Sequence, residues 1–237
     1  MMELHDLTVK FGGVTALNAV GAQFTKPING IIGPNGAGKT TAMNVISGFL
    51  TCTGSIRHDG DEIGKLPAHK RTRWGLRRSF QREQIADDLT IEENLRVILD
   101  VLPMSAAQKR ADMDRALEAT GLADRAGEQA AGLATFDRRL VDIARCLVGK
   151  PRVIMFDEAG GGMSREETER LGHVLARIPD LTDAITLVID HDVDLIRAIC
   201  SDTLVLDFGK RIAFGPTDEV LDDPRVKAAY LGIGETA

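Results

Sequence analysis

Gly33-Pro34-Asn35-Gly36-Ala37-Gly38-Lys39-Thr40 is the stretch whose residue types and spacing point most directly to chemistry. It fits G-x-x-x-x-G-K-[ST], the spacing of a phosphate-binding loop. Glycine at its turning points permits backbone angles and close approaches that a side chain would block. Successive N–H groups can then turn inward as a nest around phosphate oxygens. A helix opening at Lys39 directs its positive dipole end at the same oxygens. Lys39 reaches terminal phosphates as a point charge, and the Thr40 hydroxyl serves Mg²⁺. The nucleotide-contacting set thus runs from Gly33 through Thr41. A glycine-rich turn without ligand is the bland alternative. It does not explain eight fitting positions between the apolar run Gly30-Ile31-Ile32 and the helix-compatible stretch Thr41 to Phe49.

Two carboxylates follow a second apolar run, Val153-Ile154-Met155-Phe156, as Asp157-Glu158. Strands often end in acids at a surface, so the pattern alone says little. Beside a phosphate loop it reads as a metal-site strand, with Asp157 orienting metal-bound water and Glu158 able to act as general base. A third apolar run, Ala184 to Ile189, ends in Asp190-His191-Asp192. A lone histidine there is more often structural, but open α/β sheets collect ligand groups at the carboxyl ends of their strands.

These residues need elements to position them. Leu4 to Phe11 and Val20 to Phe24 read as strands about the Gly12-Gly13 turn, an antiparallel region leading into the loop. Phe11 precedes that turn. It can stack on a base or fill a core, and spacing alone favours the core. Thr53 to Gly60 reads as strand and turn. The basic stretch Lys65, His69, Lys70, Arg71, Arg73, Arg77 and Arg78 reads mostly as a solvated surface. Ser79-Phe80-Gln81 closes a further strand. Thr90 and Glu93 are spaced as a capping box, and from there to about Leu133 the chain is rich in helix formers. In the next helix, Leu140, Ile143, Ala144, Leu147 and Val148 recur at helical spacing from Asp137 to Val148. Ser164 and Glu167 form another capping box, before a helix with Leu171, Val174, Leu175 and Ile178 on its inner face. Thr203 to Phe214 reads as two strands about Phe208-Gly209, with a helix after. The parallel βα order predicts a three-layer α/β fold.

The 237 residues suffice for one sizeable domain, and 43% hydrophobic with 27% charged residues is ordinary for a globular chain. A formal net charge of −6 argues against a general nucleic-acid binder. Cys52, Cys146 and Cys200 are far apart and read as small core residues of a reduced, intracellular protein. The amino terminus lacks the pattern of a signal peptide, and no window approaches a membrane span of about 20 apolar residues. Any membrane connection is therefore expected to run through a partner.

Taken together, the order of elements resembles the ATP-binding subunits of ABC transporters over essentially the whole chain. FGGVTALNAV, RRSFQ, LTIEENL, IDHDVDLI, VLDFGKRIAFGP and DDPRVKAAYLG are similar to ATPase subunits of branched-chain amino-acid type importers. The lipopolysaccharide-export ATPase has a similar tail around VKAAYLG, while the FGG start and the SFQ segment favour the importer. The resemblance implies a P-loop NTPase core of about 1–81 and 150–237, with an antiparallel β subdomain and an inserted helical subdomain of about 82–149, as one ABC ATP-binding domain over 1–237. It implies ATP and Mg²⁺ as cofactors. Phe11 would stack on adenine, and Lys39 would hold the β- and γ-phosphates. Thr40, Gln81 and Asp157 would serve the metal, Glu158 would be the catalytic base, and His191 would contact the γ-phosphate. Gln81 would also relay nucleotide state to a membrane partner. The implied partners are a second ABC ATPase subunit, membrane permease subunits and, indirectly, a solute-binding protein. The implied location is the cytoplasmic face of the inner membrane.

One segment departs from the family. Where a sequence like LSGGQ is expected to clamp the nucleotide of an opposite subunit, this chain has Leu133-Ala134-Thr135-Phe136-Asp137. Ala134 lacks the hydroxyl, Phe136 replaces a glycine, and Asp137 brings a carboxylate toward a γ-phosphate. Like charges about 4–5 Å apart cost roughly several kcal/mol at an effective dielectric near 20. Ala159 and Ser164 depart where proline and Asp or Asn are usual. Residues acting on the chain's own nucleotide are intact while those acting across a dimer are eroded, which implies an asymmetric heterodimer. A module that binds ATP and hydrolyses little is the competing reading. A soluble ABC protein of repair or translation fits less well, since those usually carry two cassettes or a long coiled-coil insertion.

Overall fold

The computed structural model describes residues 1–231; Gly232, at the end of the DDPRVKAAYLG segment, and the rest of the terminus lie outside the described residues. In chain order the first elements are β1 (Met2–Phe11), β2 (Val14–Phe24), β3 (Ile28–Ile32), α1 (Lys39–Ser47), β4 (Thr53–His58), β5 (Asp61–Glu62) and α2 (Ala68–Trp74). There follow β6 (Leu76–Arg78), α3 (Ile91–Asp100), α4 (Ala106–Thr120), α5 (Thr135–Leu147), β7 (Val153–Asp157), α6 (Arg165–Ala176) and α7 (Ile178–Leu181). The last are β8 (Ile185–Ile189), α8 (Val193–Ile199), β9 (Asp202–Asp207), β10 (Lys210–Pro216), α9 (Thr217–Asp222) and α10 (Pro224–Leu231). Two compact units result: Met1–Arg71 with the chain from Ile185 onward, and Thr72–Ala184.

In the first unit β1 lies between β2 and β4, antiparallel to both, and β5 pairs on β4. The imperfect alternation of β1 has a physical cause. Register shifts occur between Leu4 and Leu7, and Asp6 and Ala19 take positive φ, so a bulge turns Leu4, Leu7 and Val9 all inward. β3 runs parallel to β8 on one side and β9 on the other, with β10 antiparallel on β9. Every residue of β3 and β8 is buried, as parallel strands covered on both faces require.

Arg71 overturns the solvated reading of its own position. It is 3% exposed. Its guanidinium donates to the carbonyls of Val45 and Ile46 at the end of α1, both at 2.6 Å, and to Leu66 and Gly64. The side chain thereby binds carbonyls in the last turn of α1, where Val45 also accepts from the Gly48 N–H at the cap. Lys65, His69, Lys70 and Arg73 are exposed, as expected.

In the second unit β6 and β7 pair in parallel, Arg78 opposite Met155. Helices α3, α4 and α5 pack on one another over Leu95, Leu99, Met113, Leu117, Leu140 and Ile143, all buried. The capping boxes at Thr90 with Glu93 and at Ser164 with Glu167 are formed, and a third, Ser105 with Gln108, opens α4. Arg77 is buried too, donating to Thr72 and Gly149 carbonyls.

The three cysteines are free thiols, and burial raises the pKa of Cys146 and Cys200. Among the described residues no helix is long and apolar enough to cross a membrane.

Candidate functional site

The first unit carries the phosphate loop, Phe11 and His191. β3 delivers the chain to Gly33, whose φ is +152°; a Cβ there would lie 2.1 Å from the Leu206 carbonyl oxygen. That contact admits only glycine. The loop turns through an Ala37 N–H bond to Pro34 and enters α1 through Gly38. No side chain caps α1, so the N–H groups of its first turn, among them those of Thr40 and Thr41, receive no cap bond and suit an anion at this helix end. Lys39 is 6% exposed, and its ammonium donates to the carbonyls of Gly33 at 2.6 Å and Pro34 at 3.0 Å. Its positive charge is therefore held over the loop. Asn35, Gly36 and Thr40 are exposed, Pro34 and Thr41 half-buried, and Ala37 buried beneath. The turn at Gly209 supports the loop from below. Its N–H donates to Ala37, while its carbonyl accepts from Asn18 in β2.

Phe11 is 51% exposed at the end of β1, opposite the exposed Val14. The core reading favoured by spacing is thus wrong for this residue; the ring stands at the surface where a flat partner can reach it. His191 is also exposed, two residues beyond β8. Because Ile31 of β3 pairs with Ile189 of β8, the phosphate loop and His191 leave the carboxyl ends of adjacent parallel strands. Asp190 accepts from the Asp192 N–H, and Asp192 caps α8 through Asp194 and Leu195. The histidine is therefore held in a fixed turn between two bonded aspartates.

The second unit carries Gln81, Asp157 and Glu158, again at or just past the carboxyl ends of paired parallel strands. The Gln81 amide donates to Glu158 at 2.6 Å. Glu158 has φ +54°, a left-handed backbone that a non-glycine residue adopts only when its surroundings enforce it. Asp157 is 5% exposed and accepts from Arg78 at 2.9 Å. Burial lowers the Arg78 pKa, and the bond to Asp157 pulls it back up. The basic run makes Arg78 look like surface charge; its side chain is 5% exposed and stacks over Phe80 at 4.8 Å. Its place beside Gln81 in RRSFQ was the available signal.

Mg²⁺ that arrives with a nucleotide keeps several waters and takes one or two carboxylates plus phosphate oxygens. The Thr40 hydroxyl and the Asp157 carboxylate are each donors of that kind. Among the described residues there is no group of three or more His, Cys, Asp or Glu suited to a resident metal.

The departing segment has its own geometry. Ala134 occupies the cap position of α5 and provides no side-chain bond. Phe136 is 6% exposed, with the Arg170 guanidinium 4.7 Å above its ring. Asp137 pairs with Arg125 at 2.9 Å, and Arg125 also holds Glu128. The expected clash is therefore softened. The phenyl group packs inward, and the Asp137 charge is shared with an arginine.

Residues 24–160 match the ABC transporter family, and residues 210–236 match the branched-chain amino acid ATP-binding cassette transporter family. The chain is 36% identical over 249 residues to the high-affinity branched-chain amino acid transport ATP-binding protein BraF of Pseudomonas aeruginosa, covering 98% of each. It is 32% identical over 210 residues to the lipopolysaccharide export system ATP-binding protein LptB of Escherichia coli, covering 86% of each. The crystal structure of the ADP conformation of an ABC transporter ATP-binding cassette superposes with a TM-score of 0.84 at 27% identity, covering 98% of each chain. On these grounds the chain belongs to the ABC transporter family of ATP-binding cassettes, in the group that holds the branched-chain amino acid transport ATP-binding proteins.

Proposed function

We propose that this ATPase is the energy-coupling subunit of an importer for branched-chain or related amino acids. It would work at the cytoplasmic face of the inner membrane, through permease subunits served by a solute-binding protein. The observation that carries the reading is the phosphate loop, with Lys39 bonded over it and an uncapped α1 behind it. Identity to BraF over 98% of both chains supports the importer over the export system, whose LptB matches over 86%.

The residue roles follow from chemistry. The loop N–H groups and Lys39 bind the phosphates of ATP, Thr40 and Asp157 serve Mg²⁺, and Phe11 stacks on adenine. Glu158 accepts a proton from the attacking water, Gln81 fixes that carboxylate, and His191 donates toward the γ-phosphate. Mg²⁺ supplies charge neutralisation of the phosphates when bound. Segment 82–149 is the helical subdomain.

The chain pairs with a second, different ATPase subunit. Its own nucleotide is hydrolysed with the partner's clamp, whereas the partner's nucleotide meets the 133–137 segment, where Ala134 offers no serine hydroxyl and Asp137 adds a carboxylate. The test is ATP turnover by the purified chain, alone and with its partner, against Glu158→Gln. Turnover that appears only with the partner and vanishes in the variant is expected. Full turnover by the chain alone would refute the asymmetry, and none in either setting would favour a module that binds ATP without hydrolysing it.

A further inference from the structure

Residues 79–84, between β6 and α3, form no regular element, yet they carry Gln81. Their backbone is held by side chains of α5. Arg139, 3% exposed, donates through one guanidinium nitrogen to the Phe80 carbonyl at 3.0 Å. Its other terminal nitrogen donates to the Gln81 carbonyl at 3.1 Å and pairs with Glu83 at 3.1 Å. Arg145 donates to the Gln84 carbonyl. Asp142, between them on the same face of α5, pairs with Arg145 at 3.7 Å. Arg139, Asp142 and Arg145 are spaced i, i+3, i+6, so one stripe of the helix grips the backbone on both sides of Gln81.

The grip continues to the carboxylate. The Gln81 backbone is fixed by Arg139, its side-chain amide donates to Glu158 at 2.6 Å, and Glu158 sits on an enforced left-handed backbone. We propose that Arg139 is a positioning residue through which α5 sets Gln81 and, through Gln81, the Glu158 carboxylate. This rests on the reading of Glu158 as the base. The inference gives α5 two separable jobs. Its amino-terminal end, at residues 134–137, faces the task in which this chain is eroded, whereas its 139–145 face serves the chain's own hydrolytic group and is complete.

Arginine is required because only its planar fork reaches two successive carbonyls and a carboxylate at once; lysine keeps the charge and loses the fork. The experiment compares Arg139→Lys and Glu83→Gln with wild type in the full chain assembled with its partner. Amide hydrogen exchange is followed over residues 79–85 and over the phosphate loop, with ATP affinity, kcat and KM. Arg139→Lys is expected to speed exchange at 79–85, leave the phosphate loop and ATP affinity unchanged, and lower kcat by about ten- to a hundredfold, as for a misplaced catalytic group. Glu83→Gln keeps the fork, so its exchange and kcat stay near wild type. Wild-type exchange at 79–85 in Arg139→Lys would overturn the proposal, as would equal losses in both variants. If wild type itself shows no turnover dependent on Glu158, the functional reading fails, and the exchange measurement still decides whether Arg139 holds this segment.

Discussion

The side-chain amide of Gln81 lies 2.6 Å from the Glu158 carboxylate and donates to it. The two residues leave paired strands whose sequence positions are far apart, so the contact depends on the β6–β7 register of Arg78 opposite Met155. A hydrogen bond to a carboxylate orients it and fixes which oxygen faces outward. Gln81→Ala removes that restraint and leaves every residue of the phosphate loop unchanged. It is expected to lower kcat by about a hundredfold, within the span of a mispositioned general base, while ATP affinity stays near wild type. Steady-state kinetics beside fluorescent-nucleotide binding checks this, and an equal loss in affinity would contradict it.

Lys39 makes the converse prediction. Its ammonium bonds the Gly33 and Pro34 carbonyls and carries the loop's one side-chain charge. Lys39→Ala keeps the glycine-built turn and removes the charge that the proposed function sets against the phosphates. A ligand present at a hundred times its Kd stabilises a protein by about 2.7 kcal/mol, so wild type should show a clear rise in Tm with ATP. Lys39→Ala should show almost none, and thermal melts with and without nucleotide decide it.

Much of this was legible because the signals are local. The phosphate loop, the Asp157-Glu158 strand end and the boxes at Thr90 and Ser164 each depend on residues within a few positions of one another. The box at Ser105 and Gln108 obeys the same rule, and Pro103 just before it marks the boundary, but composition alone reads the helix-rich stretch as one block. Arg71, Arg77 and Arg78 were illegible for another reason. A basic run looks solvated, and only tertiary packing supplies the carbonyls at Val45, Ile46 and Gly149 and the Asp157 carboxylate that bury these guanidiniums. Phe11 failed in the opposite sense: its spacing in the strand reads as core, yet the strand end leaves it at the surface.

Phe136 changes how the eroded segment is to be repaired. Restoring Ala134→Ser, Phe136→Gly and Asp137→Gln together is the obvious test of whether that segment limits a homodimer. The phenyl ring is buried beneath Arg170, however, and deleting a buried phenylalanine costs about 3–5 kcal/mol, with about 1 more for glycine inside a helix. The triple variant is therefore expected to melt markedly lower than wild type. Ala134→Ser with Asp137→Gln adds a cap hydroxyl and removes a half-exposed charge at little cost. That double variant should raise homodimer turnover with Tm nearly unchanged. No increase would mean that the clamp is not what limits this chain.

Asp142 gives a pH dependence whose sign can be worked out. Burial raises its carboxyl pKa from 3.8 to about 6, against the pull of Arg145, Arg139 and the Phe80 N–H, with Glu83 adding to the rise. The folded state therefore holds this proton to higher pH than the unfolded chain does. The contribution to stability is fully present below about 3.8, diminishes as pH rises toward 6, and stays at its lower value above. A shift of about two units corresponds to about 3 kcal/mol as an order of magnitude. Asp142→Asn cannot ionise and keeps the neighbouring charges in place. Its stability relative to wild type should rise steadily from pH 4 to pH 6 and then level off, as read from urea midpoints across that range. A difference that stays flat with pH would mean that Arg139 and Arg145 keep Asp142 charged throughout, and the stripe on α5 would then be a standing ion cluster instead of a titrating one.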